Sequence, residues 1–374
     1  QTHERPAGVL IFHVHFGHVV IDLMLLGQVE RSICVCRQHH GRLGLERRDA
    51  SHRPKEQTDA LLASWASSDE GRLLADPDGR RIMEALTGDP AAGRAIVDEL
   101  VGSLAANTPI FENAQAKQDI WQEITTLADR YNEPGTFTAL IGFEWTSMPG
   151  GDNLHRVVVY ADDAKRAGQM IPVSAFDGDR PEDLWAFMEQ YDTRTGGRIL
   201  AIPHNANLSN GRMFAVEDSS GKAIGQDYAK RRARWEPLVE VTQIKGDGET
   251  HPLLPPDDEF AEFETWDKGN LALAGMIPKQ PGMLQHEYAR AALKTGLLLE
   301  AGTGVNPYKF GMIGSTDAHT SLATGAEKNF WGKAVLTEPG TPRTNETFIV
   351  SSVGKELDVI AWEQGASGHQ LPCT

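Results

Sequence analysis

Short apolar runs alternate along the chain with longer segments in which apolar residues recur every three or four positions. Runs of this length predict strands covered on both faces, as in a parallel sheet. They lie at residues 137–143 (FTALIGF), 157–160 (VVVY), 199–202 (ILAI), 238–244 (LVEVTQI), 310–313 (FGMI) and 334–336 (AVL). The periodic segments predict helices at residues 71–86, 91–104, 116–131, 181–191 and 287–300.

This alternation of strands and helices predicts an α/β fold with a parallel sheet. At a length of 374 residues, a barrel of β/α units is favoured over an open sheet. Residues 247–269 are rich in proline and acidic side chains, and we interpret them as a long loop. Residues 1–55 show no clear period after the apolar run VLIF, and residues 365–374 form a similarly atypical tail. We therefore divide the chain into a main domain at 56–364 and two atypical ends.

The charge and hydropathy of the chain limit the kinds of partner that it is expected to bind. The net charge of -16 argues against a nucleic-acid surface, because phosphate backbones are bound by clustered Lys and Arg. No apolar run approaches the roughly 18 residues that span a bilayer, so we expect no membrane partner. The first residues lack a charged segment followed by an apolar one. A signal peptide was therefore either removed or never present, and we favour the periplasm over the cytoplasm.

Cysteines are confined to the ends of the chain, at Cys34, Cys36 and Cys373. The long middle therefore has neither a disulfide framework nor a thiolate zinc site. Any metal bound by the main domain has to be held by histidine and carboxylate side chains.

Polar residues follow several of the predicted strands at the point where each strand ends. The candidates are Glu144 and Trp145, then His204 and Asn205, then Lys245, Asp247 and His251, and finally Asp317 and His319. The carboxyl ends of parallel strands meet on one face of an α/β fold, so we expect these side chains to converge. Imidazole and carboxylate groups together suit a divalent cation. The sequence thus predicts a metal site.

Taken singly, these residues have simpler interpretations. Glu144 could cap a helix or pair with an arginine, and His204 could be a hydrogen-bonded core histidine. His155 and Arg156 could begin a strand and face water, and the asparagines of NANLSNG could belong to a turn-rich loop. The metal hypothesis depends on their conjunction. In it, Asn205 and Asn207 would bind substrate oxygens, while Arg156 and Lys245 would neutralise an anion.

The candidate residues lie in five long motifs: RYNEPGTFTALIGFEWTSMPGGDNLHRVVVY, IPHNANLSNGRMF, WEPLVEVTQIKGDGETHP, FETWDKGN and FGMIGSTDAHTSLAT. These motifs resemble those of a bacterial family known as domain of unknown function 3604, which itself resembles the polymerase and histidinol phosphatase (PHP) metallohydrolases. The resemblance runs from about residue 61 to about residue 364. It implies a distorted TIM-like (β/α) barrel that could be incomplete at both termini. It also implies two or three divalent ions, of zinc, manganese or iron.

The resemblance also suggests a role for individual residues. Glu144 would be the bridging carboxylate, and His204 would be a ligand. Asp317 and His319 would form the closing pair of ligands. His155 would be a further ligand or a substrate contact. Trp145, Asp247 and His251 would lie at the substrate-binding rim of the site, as would Lys245.

The first fifty-five residues depart from the PHP pattern. PHP-like chains begin with a strand followed by G-D-x-H-x-H, whereas the H-x-H of this chain, His13 and His15, lacks the preceding Gly-Asp. Either these two histidines complete the site, or the first metal position lacks two imidazoles and binds weakly. A shifted reading frame at both ends is a further hypothesis, which predicts that another frame of the underlying DNA restores the motif.

The favoured functional hypothesis is a metal-dependent hydrolase. A metal-bound hydroxide would attack a phosphate monoester, a phosphate diester or a sulfate ester. The residues expected to take part in catalysis are Glu144, His204, Asp317, Arg156 and Lys245. One alternative is an inactive PHP-like barrel that binds a ligand without turnover, and another is a carbon–nitrogen hydrolase. In each case the expected partner is a small molecule, an anionic ester under the favoured hypothesis, and the oligomeric state is left open.

Overall fold

The computed structural model describes residues 8–12, 77–87 and 112–315 without 244, 256, 268 and 271–278, together with residue 317 and several positions between 92 and 109. The strands, in chain order, are β1 (Gly8–Phe12), β2 (Phe137–Trp145), β3 (Arg156–Tyr160), β4 (Ile199–Pro203), β5 (Leu238–Gln243), β6 (Gly246–Asp247) and β7 (Gly311–Gly314). The α-helices are α1 (Pro77–Thr87), α2 (Ala114–Tyr131), α3 (Ala164–Ala167), α4 (Pro181–Thr195), α5 (Gln226–Trp235), α6 (Pro281–Leu284) and α7 (Ala289–Thr303).

The described strands form two sheets. The first has the order β1-β2-β3-β4, and the second has the order β6-β5-β7. β1 is parallel to β2, and β5 is parallel to β7. β3 is antiparallel to both of its neighbours, and β6 is antiparallel to β5. The chain is therefore mixed α/β, as predicted, but the expectation of an all-parallel sheet is wrong.

The connection between β2 and β3 explains the antiparallel strand. Parallel neighbours need a crossover of a dozen or more residues, usually a helix. Residues 146–155 provide only one 3₁₀ turn, Pro149–Gly151, so the chain reverses and β3 returns beside β2. Among the residues that the structure describes, the two sheets do not close into a barrel. The predicted TIM-like barrel is therefore not seen in this part of the chain.

The predicted elements otherwise lie close to their expected places. The α2 helix starts at Ala114, two residues earlier than predicted. The preceding N-cap residue, Asn113, accepts a hydrogen bond in its side chain from the backbone N–H of Ala116. The α4 helix continues four residues further than predicted, until Gly196 adopts a left-handed conformation at φ 63°. The predicted strand at 334–336 lies outside the described residues. The N-terminal run VLIF forms β1 and pairs with β2.

Aromatic side chains form the core between the first sheet and its helices. The ring centres of Trp121 in α2 and Tyr160 in β3 are 5.5 Å apart, and those of Tyr160 and Tyr191 in α4 are 4.9 Å apart. All three are fully buried, and each such side chain stabilises the fold by roughly 1.5–3 kcal/mol. This packing fixes β2 and β3 against the helices, and with them the residues at the strand ends. No helix in the described ranges is both long and apolar enough to span a membrane.

Candidate metal centre

Three side chains meet at one edge of the first sheet: Glu144, His155 and His204. Glu144 lies at the end of β2 and pairs with Val157 of β3, whereas His204 directly follows β4. Since β3 runs antiparallel, its first residues lie beside the last residues of both neighbours. His155, which directly precedes β3, is therefore brought to the same edge. Alternation along the strand places His155 on the same face as Val157, and thus as Glu144.

The distances within this cluster suit a shared ion. His155 Nδ1 lies 2.9 Å from Glu144 Oε1, and His204 Nε2 lies 3.3 Å from the same oxygen. The two imidazole rings are 5.6 Å apart and nearly perpendicular. One ligand atom from each residue lies within 4.8 Å of the others. This is the only group of three or more such ligands among the described residues.

The cluster is buried and leaves ring nitrogens without hydrogen bonds. The exposed fractions are 2% for Glu144, 8% for His155 and 1% for His204. Within the described part of the chain, His155 Nε2 and both ring nitrogens of His204 form no hydrogen bond. The 3.3 Å contact between His204 and Glu144 is an ion-pair distance without hydrogen-bond geometry. Buried polar atoms normally find partners, so a bound ion accounts well for these nitrogens.

The electrostatics favour the form of histidine that binds metals. Burial lowers the pKa of His155 to about 4, although the neighbouring Glu144 acts in the opposite direction. The charge of Lys245 lowers it further. At neutral pH the imidazole of His155 is therefore uncharged and able to offer a lone pair. Two imidazoles and one carboxylate fit zinc, manganese or iron, and such a set of three leaves coordination positions open.

Asp317 reaches this region through Lys245 and is not part of the three-residue cluster. The ammonium of Lys245 contacts Asp317 Oδ2, and both side chains are almost fully buried. The charge of Lys245 acts on His155, so the pair lies beside the candidate centre. Asp317 itself adopts a left-handed backbone conformation at φ 50°. The other predicted ligands, His319, His13 and His15, lie outside the described residues.

Arg156 pairs with a buried carboxylate. It directly follows His155, so in an alternating strand its side chain points to the other face. Its Nε donates to Glu236 Oε1 at 3.1 Å, and its guanidinium lies 5.8 Å from the ring centre of Trp145. Arg156 and Trp145 are fully buried in these contacts. These contacts engage both side chains within the core, and the roles predicted for Arg156 in catalysis and for Trp145 in substrate binding stay predictions.

The predicted rim residues His251 and Asp247 form hydrogen bonds with neighbouring parts of the loop region after β5. His251 Nε2 lies 3.0 Å from Asp267 Oδ2, and His251 Nδ1 accepts from the backbone N–H of Leu253 at 3.2 Å. Asp247 Oδ2 accepts from two backbone N–H groups of the following turn, those of Glu249 and Thr250. Burial raises the pKa of Asp247 to about 6. These contacts order the segment that follows β5.

The predicted asparagines differ in their roles. Asn207 Nδ2 donates to the backbone oxygens of Lys245 and Trp266, at 3.0 and 2.9 Å, and so ties two loops together. Asn205 Oδ1 accepts from Gln243 Nε2 at 2.8 Å. Sequence reasoning did not single out Gln243, because a glutamine at the end of an apolar strand carries no motif. Asn205 lies just after β4 and Gln243 ends β5, so their hydrogen bond links two strand ends that are far apart in the sequence.

A family model described as protein of unknown function (DUF3604) matches residues 38–370. No curated protein and no solved structure matches the chain.

Proposed function

The chain belongs to the family described as protein of unknown function (DUF3604), and we propose that it is a metal-dependent hydrolase of phosphoester-like substrates. The observation that carries the proposal is the buried convergence of Glu144, His155 and His204, with ring nitrogens that have no other partner in the described residues. Its motifs resemble those of PHP hydrolases, and this resemblance supports hydrolysis as the reaction. We extend the proposal to a PHP-type barrel and to further ions held with Asp317, His319, His13 and His15.

Each residue of the cluster has a defined part in this proposal. Glu144, His155 and His204 would hold a divalent ion, which would supply a Lewis acid that lowers the pKa of water and neutralises charge on a phosphoryl oxygen. Glu144 contributes the negative charge that attracts the cation, and it orients His155 through their 2.9 Å contact. His155 and His204 contribute ring nitrogens that are already desolvated.

Lys245 places an ammonium group beside the cluster. This group is buried and held by Asp317, so its position is fixed before a substrate arrives. The pair carries no net charge, so Lys245 would act on a phosphate or sulfate ester by donating a hydrogen bond to one of its oxygens. The favoured substrate is an anionic ester, as the resemblance to PHP hydrolases implies.

The metal content of the purified protein tests the proposal. We expect metal to be lost, together with turnover of aryl phosphate esters, in His204→Ala and in the larger variant His204→Gln. His286→Gln is the matched control, because His286 contacts the backbone oxygen of Phe214 and lies outside the cluster. Circular dichroism establishes that each variant is folded. Wild-type metal content and activity in a folded His204→Ala protein would remove the cluster from the mechanism.

A substrate panel separates the proposed reaction from the two alternatives. We expect turnover of phosphate or sulfate esters. Turnover of amides or lactams alone would identify a carbon–nitrogen hydrolase instead. Bound metal without turnover of any substrate class would identify a ligand-binding relative that has lost catalysis.

A further inference from the structure

Four buried asparagines lie close in sequence to the candidate ligands His155 and His204, and they fall into two groups. Asn207 Nδ2 donates to two backbone oxygens, and Asn210 Nδ2 donates to Asp152 Oδ1 at 2.9 Å. In contrast, the Nδ2 groups of Asn153 and Asn205 are buried and find no acceptor within the described residues. The exposed fractions of these two residues are 0% and 3%. Two amide donors are thus shielded from solvent and form no hydrogen bond with the described residues.

The orientation of the Asn205 side chain follows from a backbone group. The N–H of Lys245 donates to the side chain of Gln243 at 2.9 Å, and a backbone N–H has no other role. The atom of Gln243 that faces it is therefore the oxygen Oε1, so Nε2 is the atom that faces Asn205. Asn205 must in turn present Oδ1 to Gln243 Nε2, at 2.8 Å. The ambiguity of amide orientation is removed, and Nδ2 is the free donor.

Asn153 is oriented by the same kind of contact. The backbone N–H of His155 donates to Asn153 Oδ1 at 3.0 Å, which leaves Nδ2 as the free donor. Asn153 precedes one candidate ligand by two residues, and Asn205 directly follows the other, His204. Each free donor therefore belongs to a residue that lies within two positions of one histidine of the cluster.

The side chain of Asn205 does not cap the turn that follows it. It stands at the start of the 3₁₀ turn Ala206–Leu208, where an asparagine side chain commonly caps the first N–H groups. Here the side chain makes no cap, and the backbone is left-handed, at φ 52° and ψ 43°. A strained residue that gives up its cap and leaves a donor buried costs stability, which is typical of functional sites.

We propose that Asn153 Nδ2 and Asn205 Nδ2 donate hydrogen bonds to the oxygens of a tetrahedral oxyanion at the candidate centre, and that Gln243 is the positioning residue for Asn205. Uncharged donors bind such oxygens without bringing a further cation into the interior. This inference rests on the proposed function, because it assumes that the substrate is an anionic ester. It adds the groups that bind the ester oxygens.

Near-isosteric substitutions test the donors. Asn205→Asp and Asn153→Asp keep the oxygen that accepts from Gln243 or from the His155 N–H, but they lose the donor. In Gln243→Glu the new carboxylate still accepts from the Lys245 N–H but can no longer donate to Asn205. The Asn205 amide is therefore expected to turn, so that Nδ2 faces the carboxylate and Oδ1 takes the place of the free donor. Asn113→Asp is the matched control, since this N-cap oxygen also accepts from a backbone N–H and lies away from the centre.

The probe is inorganic phosphate, titrated calorimetrically into the protein as purified, with metal content measured on the same samples. We expect the affinity for phosphate to fall at least about tenfold in each of the three site variants, as for a lost hydrogen bond to a charged group. Asn113→Asp should bind as the wild type does. Metal content should be unchanged in all four.

Two uncharged variants separate the loss of a donor from the gain of a charge. Asn205→Gly removes the side chain at a backbone conformation that glycine adopts freely, and Gln243→Met removes the positioning contact. Each should weaken phosphate binding, and Gln243→Met should add nothing in an Asn205→Gly background. Unchanged phosphate affinity in Asn205→Gly and Asn153→Asp overturns the inference. A wild-type protein without metal instead defeats the proposed function, so the two failures are distinguishable.

Discussion

A buried carboxylate shared by two arginines gives the sharpest test of how this fold is stabilised. Glu236 Oε1 accepts from Arg156 Nε at 3.1 Å and from Trp185 Nε1 at 2.9 Å, and Glu236 Oε2 lies 3.0 Å from Arg232 Nη2. All four residues are buried. The cluster therefore holds two positive charges and one negative charge among the residues that the structure describes.

Replacing the carboxylate and replacing one arginine are expected to lower stability by unequal amounts. Glu236→Gln removes the negative charge and leaves two buried guanidinium groups uncompensated, so we expect a loss of about 3–5 kcal/mol in the free energy of unfolding. Arg156→Met removes one positive charge and leaves Glu236 paired with Arg232. Its expected cost is the smaller one of a lost charge-assisted hydrogen bond, about 1.5–3 kcal/mol.

Urea denaturation at pH 7, followed by tryptophan fluorescence, measures both changes. Burial by itself would raise the pKa of Glu236, but the two arginines lower it below its ordinary value. The stabilising charge is therefore fully present at pH 7 and is lost only as the pH falls through the lowered pKa. A loss in Arg156→Met equal to or larger than that in Glu236→Gln would refute the reasoning. A stable Arg156→Met protein that no longer binds phosphate would place Arg156 in the substrate site.

Two further predictions concern the buried pair of Lys279 with Glu287 and the half-buried Asp247. Lys279 Nζ donates to Glu287 Oε1 at 2.6 Å and to the backbone oxygen of Asn207 at 2.8 Å. Lys279→Met should therefore lower the free energy of unfolding by about 3–5 kcal/mol at pH 8, and by less at pH 5, because burial raises the pKa of Glu287 and a proton can replace the lost partner. Chemical denaturation at the two pH values checks this, and equal losses would contradict it. The second prediction concerns Asp247, whose pKa is raised to about 6. Between about pH 4 and 6 the folded state therefore binds more protons than the unfolded state. The contribution of Asp247 to stability falls as the pH rises through that window. Asp247→Asn, which keeps an acceptor for the two backbone N–H groups, should raise the melting temperature at pH 8 relative to wild type and not at pH 4, and the same shift at both values would show that ionisation is irrelevant.

Most of the described strands and helices could be predicted from the spacing of apolar residues, but the direction of β3 could not. An apolar run such as VVVY indicates burial on both faces, and a central antiparallel strand under helices is as apolar as a parallel one. The better signal was the connection before it, because residues 146–155 contain Pro149 and two glycines and have no helical period. A short connection of this kind favours reversal of the chain.

The candidate site was predictable where it depends on strand ends and unpredictable where it depends on pairing. Glu144 and His204 each follow an apolar run, so their convergence could be expected from local sequence. The contact of Asp317 with Lys245 joins residues 72 positions apart, and no spacing rule encodes it. Arg156 was within reach of sequence reasoning, since a period of two that directs His155 to one face directs its neighbour to the other.

The antiparallel β3 also explains how the cluster is held. Glu144 and His155 belong to one β2–β3 hairpin, so two of the three ligands are brought together by a local turn at little entropic cost. The third ligand, His204, arrives through the pairing of Arg156 with Pro203, which places His204 opposite His155 across the β3–β4 ladder. The register that aligns these histidines also packs Tyr160 against Trp121 and Tyr191 at the far end of β3. A slip of one residue in that register would move His155 to the opposite face and break the aromatic core at the same time, so the core packing and the ligand geometry specify the same alignment.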